Sequence, residues 1–328
     1  MGYGEKIKKL SKKMIGRGDD IEQVLSDYVN RYNKYAFKGE ACIDERQYEA
    51  VITRLYHTVE KGLAYVDYRA NFGRANIDRL IRAMEGYAES GYDTEAFFYK
   101  TALSVLNGYT EKNRLHGEPD EELEKKIMSL KGSPNEAGGT RIVKPLSESE
   151  VRELDYRAFV ADRHSFRHFS EEPVSIEVII KALELAQLTP SACNRQGWRT
   201  VIIDDKEKIK TVCANQNGNK GFGHEFDKML LVVGDLRCFN KSRELFQVYI
   251  DGGMYAQSVL NALHYYHVAS VPLSASLTAD QEKAVRSLLG LHEAEVPIML
   301  IGVGNYPPDE ECVTARSERK PARIETIK

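Results

Sequence analysis

The chain has 328 residues, with 46 Lys+Arg against 49 Asp+Glu, a net charge of −3 and a hydrophobic fraction of 42%. That length suits about two domains. The composition excludes large-scale disorder, and the near-neutral balance gives no support for a nucleic-acid binder that works by bulk charge.

The N-terminal part reads as helical. "DDIEQVLSDYVNRYNKY" sets Ile21, Val24, Leu25, Tyr28 and Tyr32 at helical spacing, and "YEAVITRLYHTVEKGL" does so with Val51, Leu55, Tyr56 and Val59. "NIDRLIRAMEGYAESG" and "EAFFYKTALSVLNGYTEK" add two more such stretches, and no alternating strand pattern intervenes. His57 and Glu60 stand three apart and share a helix face, where a metal-ligating, an ion-paired or a substrate-facing role is open. With no second HxxE and no carboxylate cluster, no metal is expected.

A composition break follows at "LKGSPNEAGGTRIVKPLSESE", residues 130–150, where Gly, Pro, Ser and Asn cluster as in a linker. The expected division is a helical domain over 1–140 and an α+β domain over 141–328. In the latter, "PVSIEVIIKALELAQL" predicts a helix from Ser175 as N-cap, with an apolar face at 176, 179, 180 and 183. "RTVIID", "KMLLVVGD" and "VPIMLIGVGN" read as strands. "YIDGGMYAQSVLNALHYYHVA" is apolar nearly all round, which predicts a helix buried within the domain or in a dimer interface.

Five cysteines, Cys42, Cys193, Cys213, Cys238 and Cys312, are widely spaced with no CxxC pair. This argues against a disulfide framework or a structural zinc site and fits a reducing compartment. The first residues carry lysines without an apolar core, so they do not read as a secretory signal. The longest apolar runs, "MLLVV" and "VPIMLIGV", are too short to span a bilayer. A cytoplasmic protein is expected.

Two stretches carry chemistry. "RHSFRHF", residues 163–169, supplies guanidinium forks at Arg163 and Arg167 and a hydroxyl at Ser165, a set suited to a phosphate or to a solvated basic turn. "TPSACNRQGW", residues 189–198, ends a helix at Pro190 and presents small Ser191 and Ala192, the amide of Asn194 and the only tryptophan. Small residues let a flat ligand approach the backbone, and an amide can donate and accept. An ordinary helix-to-strand loop is the alternative.

Together these stretches resemble the nitroreductase family of FMN flavoproteins, in which an RxS(x)R/K segment is followed one helix later by a PSxxNxQPW loop. The match holds at Pro190, Ser191, Asn194, Gln196 and Trp198, with Gly197 in place of the usual proline. The resemblance covers roughly 150–328. It implies an intertwined homodimer around a central, mainly antiparallel sheet flanked by helices, with FMN at the interface.

On that reading Arg163, Ser165 and Arg167 come from one chain and Pro190, Ser191 and Asn194 from the other, with His164, Ala192 and Gln196 also expected at the cofactor. "NQNGNKGF" stands where an amide meets the flavin ring, with Asn219 favoured and Asn217 and Lys220 open. Leu273 and Ser274, in "VPLSAS", stand where backbone lies against flavin N5. Arg316 and Arg319, in "RSERKP", correspond to the closing basic segment at the phosphate, with Lys320 beside them. The usual GLG before "VPLSAS" is replaced by His267, Val268 and Ala269, and the helix around Asp251, Gly252 and Gly253 would lie at the dimer core.

The implied activity moves hydride from NAD(P)H through flavin N5 to a small nitroaromatic, quinone or enone acceptor, with no protein acid or base and Arg167 as electrostatic stabiliser. Other readings are a flavin-dependent dehydrogenase tailoring a biosynthetic intermediate and a non-catalytic flavin-binding sensor or assembly protein. No membrane or nucleic-acid partner is expected.

Overall fold

The computed structural model describes residues 21–37, 42–64, 68–140, 155–240, 242–307 and 322–327. The four predicted N-terminal helices are present: α1 (Ile21–Tyr35), α2 (Glu45–Leu63), α3 (Arg74–Glu89) and α4 (Phe97–Leu115). Asp44 caps α2 by accepting from Gln47 N at 2.9 Å, which satisfies one of the free amides of the first turn. A fifth helix, α5 (Glu121–Met128), was not predicted, because only Leu123 and Ile127 supply its buried face. Its ends are nonetheless well specified: Asp120 accepts from Leu123 N at 2.9 Å, acids fill the first turn and Lys125 and Lys126 stand in the last.

These helices close on a core of Val51, Leu55, Val59, Ile77, Leu80, Met84, Tyr87, Tyr99, Leu106 and Tyr109. Each contributes about 1.5–3 kcal/mol relative to exposure. Of the predicted apolar positions on α1, Tyr28 and Tyr32 are buried, whereas Val24 and Leu25 face outward, each about half exposed (50% and 49%).

The described part of the predicted linker, residues 130–140, lies along α4. Asn135 Nδ2 donates to Thr101 Oγ1 at 3.0 Å, and a Cβ on Gly138 would fall 2.4 Å from Thr101 O.

The C-terminal half is built on a four-stranded sheet of β1 (Trp198–Ile203), β2 (Lys228–Asp235), β3 (Ala269–Ser274) and β4 (Glu295–Gly304). Their order is β1-β2-β4-β3, and every pairing is antiparallel. β2 is central and buried along its whole length. Its side chains alternate between faces: Leu230 and Val232 join one core, and Met229, Leu231 and Val233 the other.

On the first face lie α7 (Ile176–Ala186) and the long α9 (Gln247–Tyr265). On the second lie α8 (Lys206–Asn215) and α10 (Ala279–Leu289). A short helix α6 (Tyr156–Asp162) precedes them. Ser175 is the N-cap of α7 as predicted, although its hydroxyl bonds Glu177 and caps no amide.

α9 runs unbroken through Gly252 and Gly253. Gly252 is small because its helix rests on the sheet: a Cβ there would be 2.9 Å from Ile298 Cγ1, and one on Gly234 would be 2.3 Å from Val248. Ile298 reaches that gap because the β2–β4 register slips at Val232/Val233, pairing Val233 with Pro297 and leaving Ile298 over. Proline has no amide to give the ladder, and the bulge accommodates it. The outer face of α9 exposes Tyr249, Ile250, Met254 and Tyr265.

The helical half and the sheet share one hydrophobic cluster, since Leu236, Cys238, Phe239, Val248 and Val296 pack with the N-terminal core. Phe37 N donates to Phe239 O at 3.0 Å, Arg237 meets Asp44 at 3.3 Å, and Lys34 meets Glu293 at 2.7 Å. No helix among the described residues is long and apolar enough to cross a membrane.

Candidate functional site

The "RHSFRHF" stretch leaves α6 and is pinned by its two phenylalanines. Phe166 and Phe169 are buried in the core of the second sheet face, and Phe166 meets Tyr306 edge-on at 4.8 Å. Phe166 N donates to Ser270 O of β3 at 3.0 Å, which lays the segment along the sheet edge. The polar residues between the phenylalanines are thereby turned outward.

Among the described residues, Arg163 Nη1 reaches only the carbonyl of His164 at 3.3 Å, and Arg167 Nη1 only that of Ser165 at 3.4 Å. No carboxylate among the described residues pairs with either guanidinium. Arg167 lies over the Phe222 ring, 5.6 Å from its centre. His168 is held differently, its Nδ1 2.6 Å from Glu225 Oε2, an oxygen that also receives Phe169 N at 3.3 Å. His164 is exposed.

Behind Arg163, His264 packs against Phe159 at 4.8 Å. Burial holds its imidazole below the usual pKa, with Asp162 at 3.5 Å opposing and Arg163 assisting.

The 216–222 stretch and the end of β3 converge near this segment. Gln216 Nε2 donates to Ser274 O at 3.0 Å and so ties the two together. Leu273 is buried and Ser274 exposed. Asn219 is buried (8% exposed), and its amide hydrogens turn inward to Cys213 O, Gln216 O and Gln216 Oε1 at 2.8–2.9 Å. Asn217 and Lys220, the alternatives at this position, are exposed beside a groove of about 560 Å³ that also takes in Lys206, Lys210 and His224.

Pro190, Ser191, Ala192, Asn194 and Gln196 form a separate loop between α7 and β1, with a different set of partners. Asp251 of α9 accepts Ala192 N at 3.1 Å and Gln247 Nε2 at 2.8 Å; burial raises its pKa above the usual carboxylate value. Ser191 Oγ accepts Gln196 N at 2.9 Å, and Gln196 Nε2 returns to Asn194 O at 3.0 Å. Trp198 stacks on Tyr255 at 4.8 Å and donates to Gln187 at 3.0 Å. Arg195, which sequence reasoning did not single out, is buried and makes a two-pronged pair with Glu244 at 2.9 and 3.0 Å.

Gly197 stands where the resemblance leads one to expect proline. A Cβ there would lie 2.8 Å from Cys238 Cβ. Similarly, where a GLG would be expected, His267 itself takes the left-handed conformation (φ 58) that ends α9, and Val268 N returns to Leu263 O at 2.8 Å.

The structure therefore brings Arg163, Ser165, Arg167, Ser274 and the 216–222 stretch to one region and places the 190–196 loop among other partners. Arg316, Arg319 and Lys320 lie outside the described residues. Sequence reasoning missed Glu225 and Glu244 and did not foresee the contacts of Gln216 with Ser274 and of Asp251 with Ala192, which join residues distant in the chain.

Residues 160–305 match the model of the nitroreductase family. The nitroreductase match contains both sequence stretches and the whole sheet, and it leaves the helices of the N-terminal half outside. A putative NADH dehydrogenase/NAD(P)H nitroreductase of Archaeoglobus fulgidus is 28% identical over 164 residues, 49% of this chain and 91% of that protein. The FMN reductase [NAD(P)H] of Bacillus subtilis is 24% identical over 49% of this chain and 67% of its own length. Human iodotyrosine deiodinase 1 is 25% identical over 54% of this chain and 69% of its own. Among solved structures, a putative NADH oxidase from Clostridium acetobutylicum aligns with a TM-score of 0.44 at 23% identity, covering 52% of this chain and 99% of that one. Over that segment the chain is similar to nitroreductase-type oxidoreductases.

On α2, His57 Nδ1 faces Glu60 Oε2 at 3.3 Å, and Glu60 Oε1 accepts Gly139 N at 3.3 Å.

Proposed function

We propose that the chain is an FMN-dependent oxidoreductase that takes hydride from NAD(P)H and delivers it to a small organic acceptor of nitroaromatic, quinone or enone type. In this reading it acts as a homodimer, with a helical region to about residue 140 and a flavin-binding part from 141 onward. The observation that carries it is the pair of guanidinium groups at Arg163 and Arg167, beside buried phenylalanines, whose hydrogen bonds among the described residues go to neighbouring carbonyls at 3.3 and 3.4 Å. Such spare, charge-assisted donors beside a hydroxyl fit a phosphate.

FMN, when bound, supplies the hydride-accepting and hydride-donating centre. The chain's own residues hold and orient it. Arg163 and Ser165 bind the phosphate, and Arg167 supplies positive charge at the ring's pyrimidine edge. Asn217 or Lys220 serves as the polar ring contact if the Asn219 amide stays committed to Cys213 and Gln216. Pro190, Ser191 and Asn194 belong to the partner's site. The exposed apolar face of α9, with Tyr249, Ile250 and Met254, supports a second copy packing there.

The purified protein should be yellow and release FMN rather than FAD on denaturation. Arg163→Ala should weaken FMN binding by about 1.5–3 kcal/mol, the range for a hydrogen bond to a charged group; unchanged affinity removes Arg163 from the phosphate site. Turnover of NADH or NADPH with a nitroaromatic or quinone tests the acceptor class. Arg46 Nη2 of α2 reaches Gln196 O at 3.4 Å, which favours a second reading, a dehydrogenase whose helical half contributes specificity. Bound FMN with silence toward those acceptors would support it.

A further inference from the structure

The loop that follows α7 holds an uncommon backbone. Cys193, Asn194 and Gln196 all take positive φ (52, 54 and 48), and none is glycine. L-residues disfavour that region, so the loop keeps this shape only where its surroundings over-determine it. Ser191 Oγ and Asp251 provide two restraints, both local to the loop or to α9. The third reaches further.

We propose that Arg195 is a positioning residue that transmits the packing of the helical half to the cofactor-contacting loop. The inference rests on the reading above that Pro190, Ser191 and Asn194 touch the cofactor. The Arg195 side chain is fully buried. Its Nε donates to Ala192 O at 2.9 Å, immediately before the left-handed residues, while both terminal nitrogens engage Glu244. Its guanidinium plane lies 5.0 Å from the centre of the Phe239 ring.

Glu244 accepts Asn240 N at 2.9 Å and lies close enough to Arg54 of α2 and Tyr32 of α1 to influence both electrostatically. Phe239, fully buried, receives Phe37 N from the end of α1 at 3.0 Å. One side chain thus joins the loop backbone to the seam where the two halves meet. A planar fork with fixed donors suits that task, because it sets orientation as well as distance.

The test compares full-length protein, Arg195→Met and the double variant Arg195→Met/Glu244→Gln. It reads FMN affinity by flavin fluorescence, the urea midpoint, and amide exchange over residues 190–198. Arg195→Met should lower FMN affinity by about tenfold or more, as loss of a supporting contact does at other sites, and should speed exchange in that segment. The double variant removes both charges of the pair, so its midpoint should recover, while affinity and exchange stay impaired because Ala192 O keeps the Arg195 backbone N–H at 3.2 Å but still lacks the guanidinium donor.

Recovery of FMN affinity together with the midpoint would reduce Arg195 to a stabilising residue and overturn the proposal. So would unchanged exchange at 190–198 in both variants. If the unaltered protein takes up no FMN, the functional reading falls, and the exchange comparison alone still decides whether Arg195 holds the loop.

Discussion

Placing a methyl at Gly197 probes how closely the loop and the helical half are fitted. In Gly197→Ala the new Cβ would stand 2.8 Å from Cys238 Cβ, 3.3 Å from its Sγ and 3.3 Å from Phe239 Cε2. Favourable carbon–carbon contact begins near ~3.5 Å, so something must move by roughly 0.7 Å. Neither neighbour can swing into solvent, because Cys238 is 1% and Phe239 0% exposed. The closest atom is a Cβ, which no rotamer change displaces. Overpacking of this kind costs about 1–3 kcal/mol, and the upper part of the range is expected here.

The assay is urea unfolding of Gly197→Ala, Cys238→Gly and the pair together. Cys238→Gly alone opens a small hole and destabilises, but it clears the space that the methyl needs. The double variant should therefore be more stable than the sum of the singles by about 1 kcal/mol or more. Additivity within about 0.5 kcal/mol, or a Gly197→Ala midpoint equal to that of the parent, would refute the reasoning.

Two further outcomes can be measured. Burial alone would push the Asp227 carboxyl up, but Lys228 at 3.0 Å, Lys206 at 3.1 Å and Val174 N at 2.8 Å hold it below the usual carboxylate value. A depressed carboxylate contributes stability above the ordinary carboxylate pKa and loses it as pH falls through the folded value. Asp227→Asn should therefore lower the midpoint at neutral pH and flatten its decline in acid; an unchanged acid slope would exclude Asp227 as a source. His267→Gly should be neutral or stabilising by up to about 0.5 kcal/mol in thermal melts, since relief of about 1 kcal/mol at φ 58 is partly offset by loss of the ring contact with Tyr306 at 4.5 Å. A loss above about 1 kcal/mol would show that the left-handed cap carries no strain.

Much of this architecture was legible because its elements bury long, regular apolar faces. α2, α3 and α4 repeat every three or four residues, and β2 reads as a continuous apolar run because both of its faces are covered. Elements that bury little were passed over: α8 has only Ile209 and Val212 inside, and α10 only Val285. α10 carried a usable signal all the same, the capping box of Thr278 and Gln281.

At the candidate site the two basic and small-residue stretches were visible because their chemistry is local. Glu225 beside His168, Glu244 beside Arg195 and Asp251 beside Ala192 were not, because each joins residues 49 to 59 positions apart. Asn219 shows the reverse limit: an amide of the right type, directed inward by neighbours within six residues.

Pro297 has one more effect. Sliding β4 by a single position along β2 would set a residue without an amide opposite a carbonyl that requires one, and would turn Leu300 and Ile301 to the opposite faces. Ile298 would leave the notch between Gly234 and Gly252 at the same time. The imino acid acts as a ratchet tooth, allowing β4 a single alignment along β2.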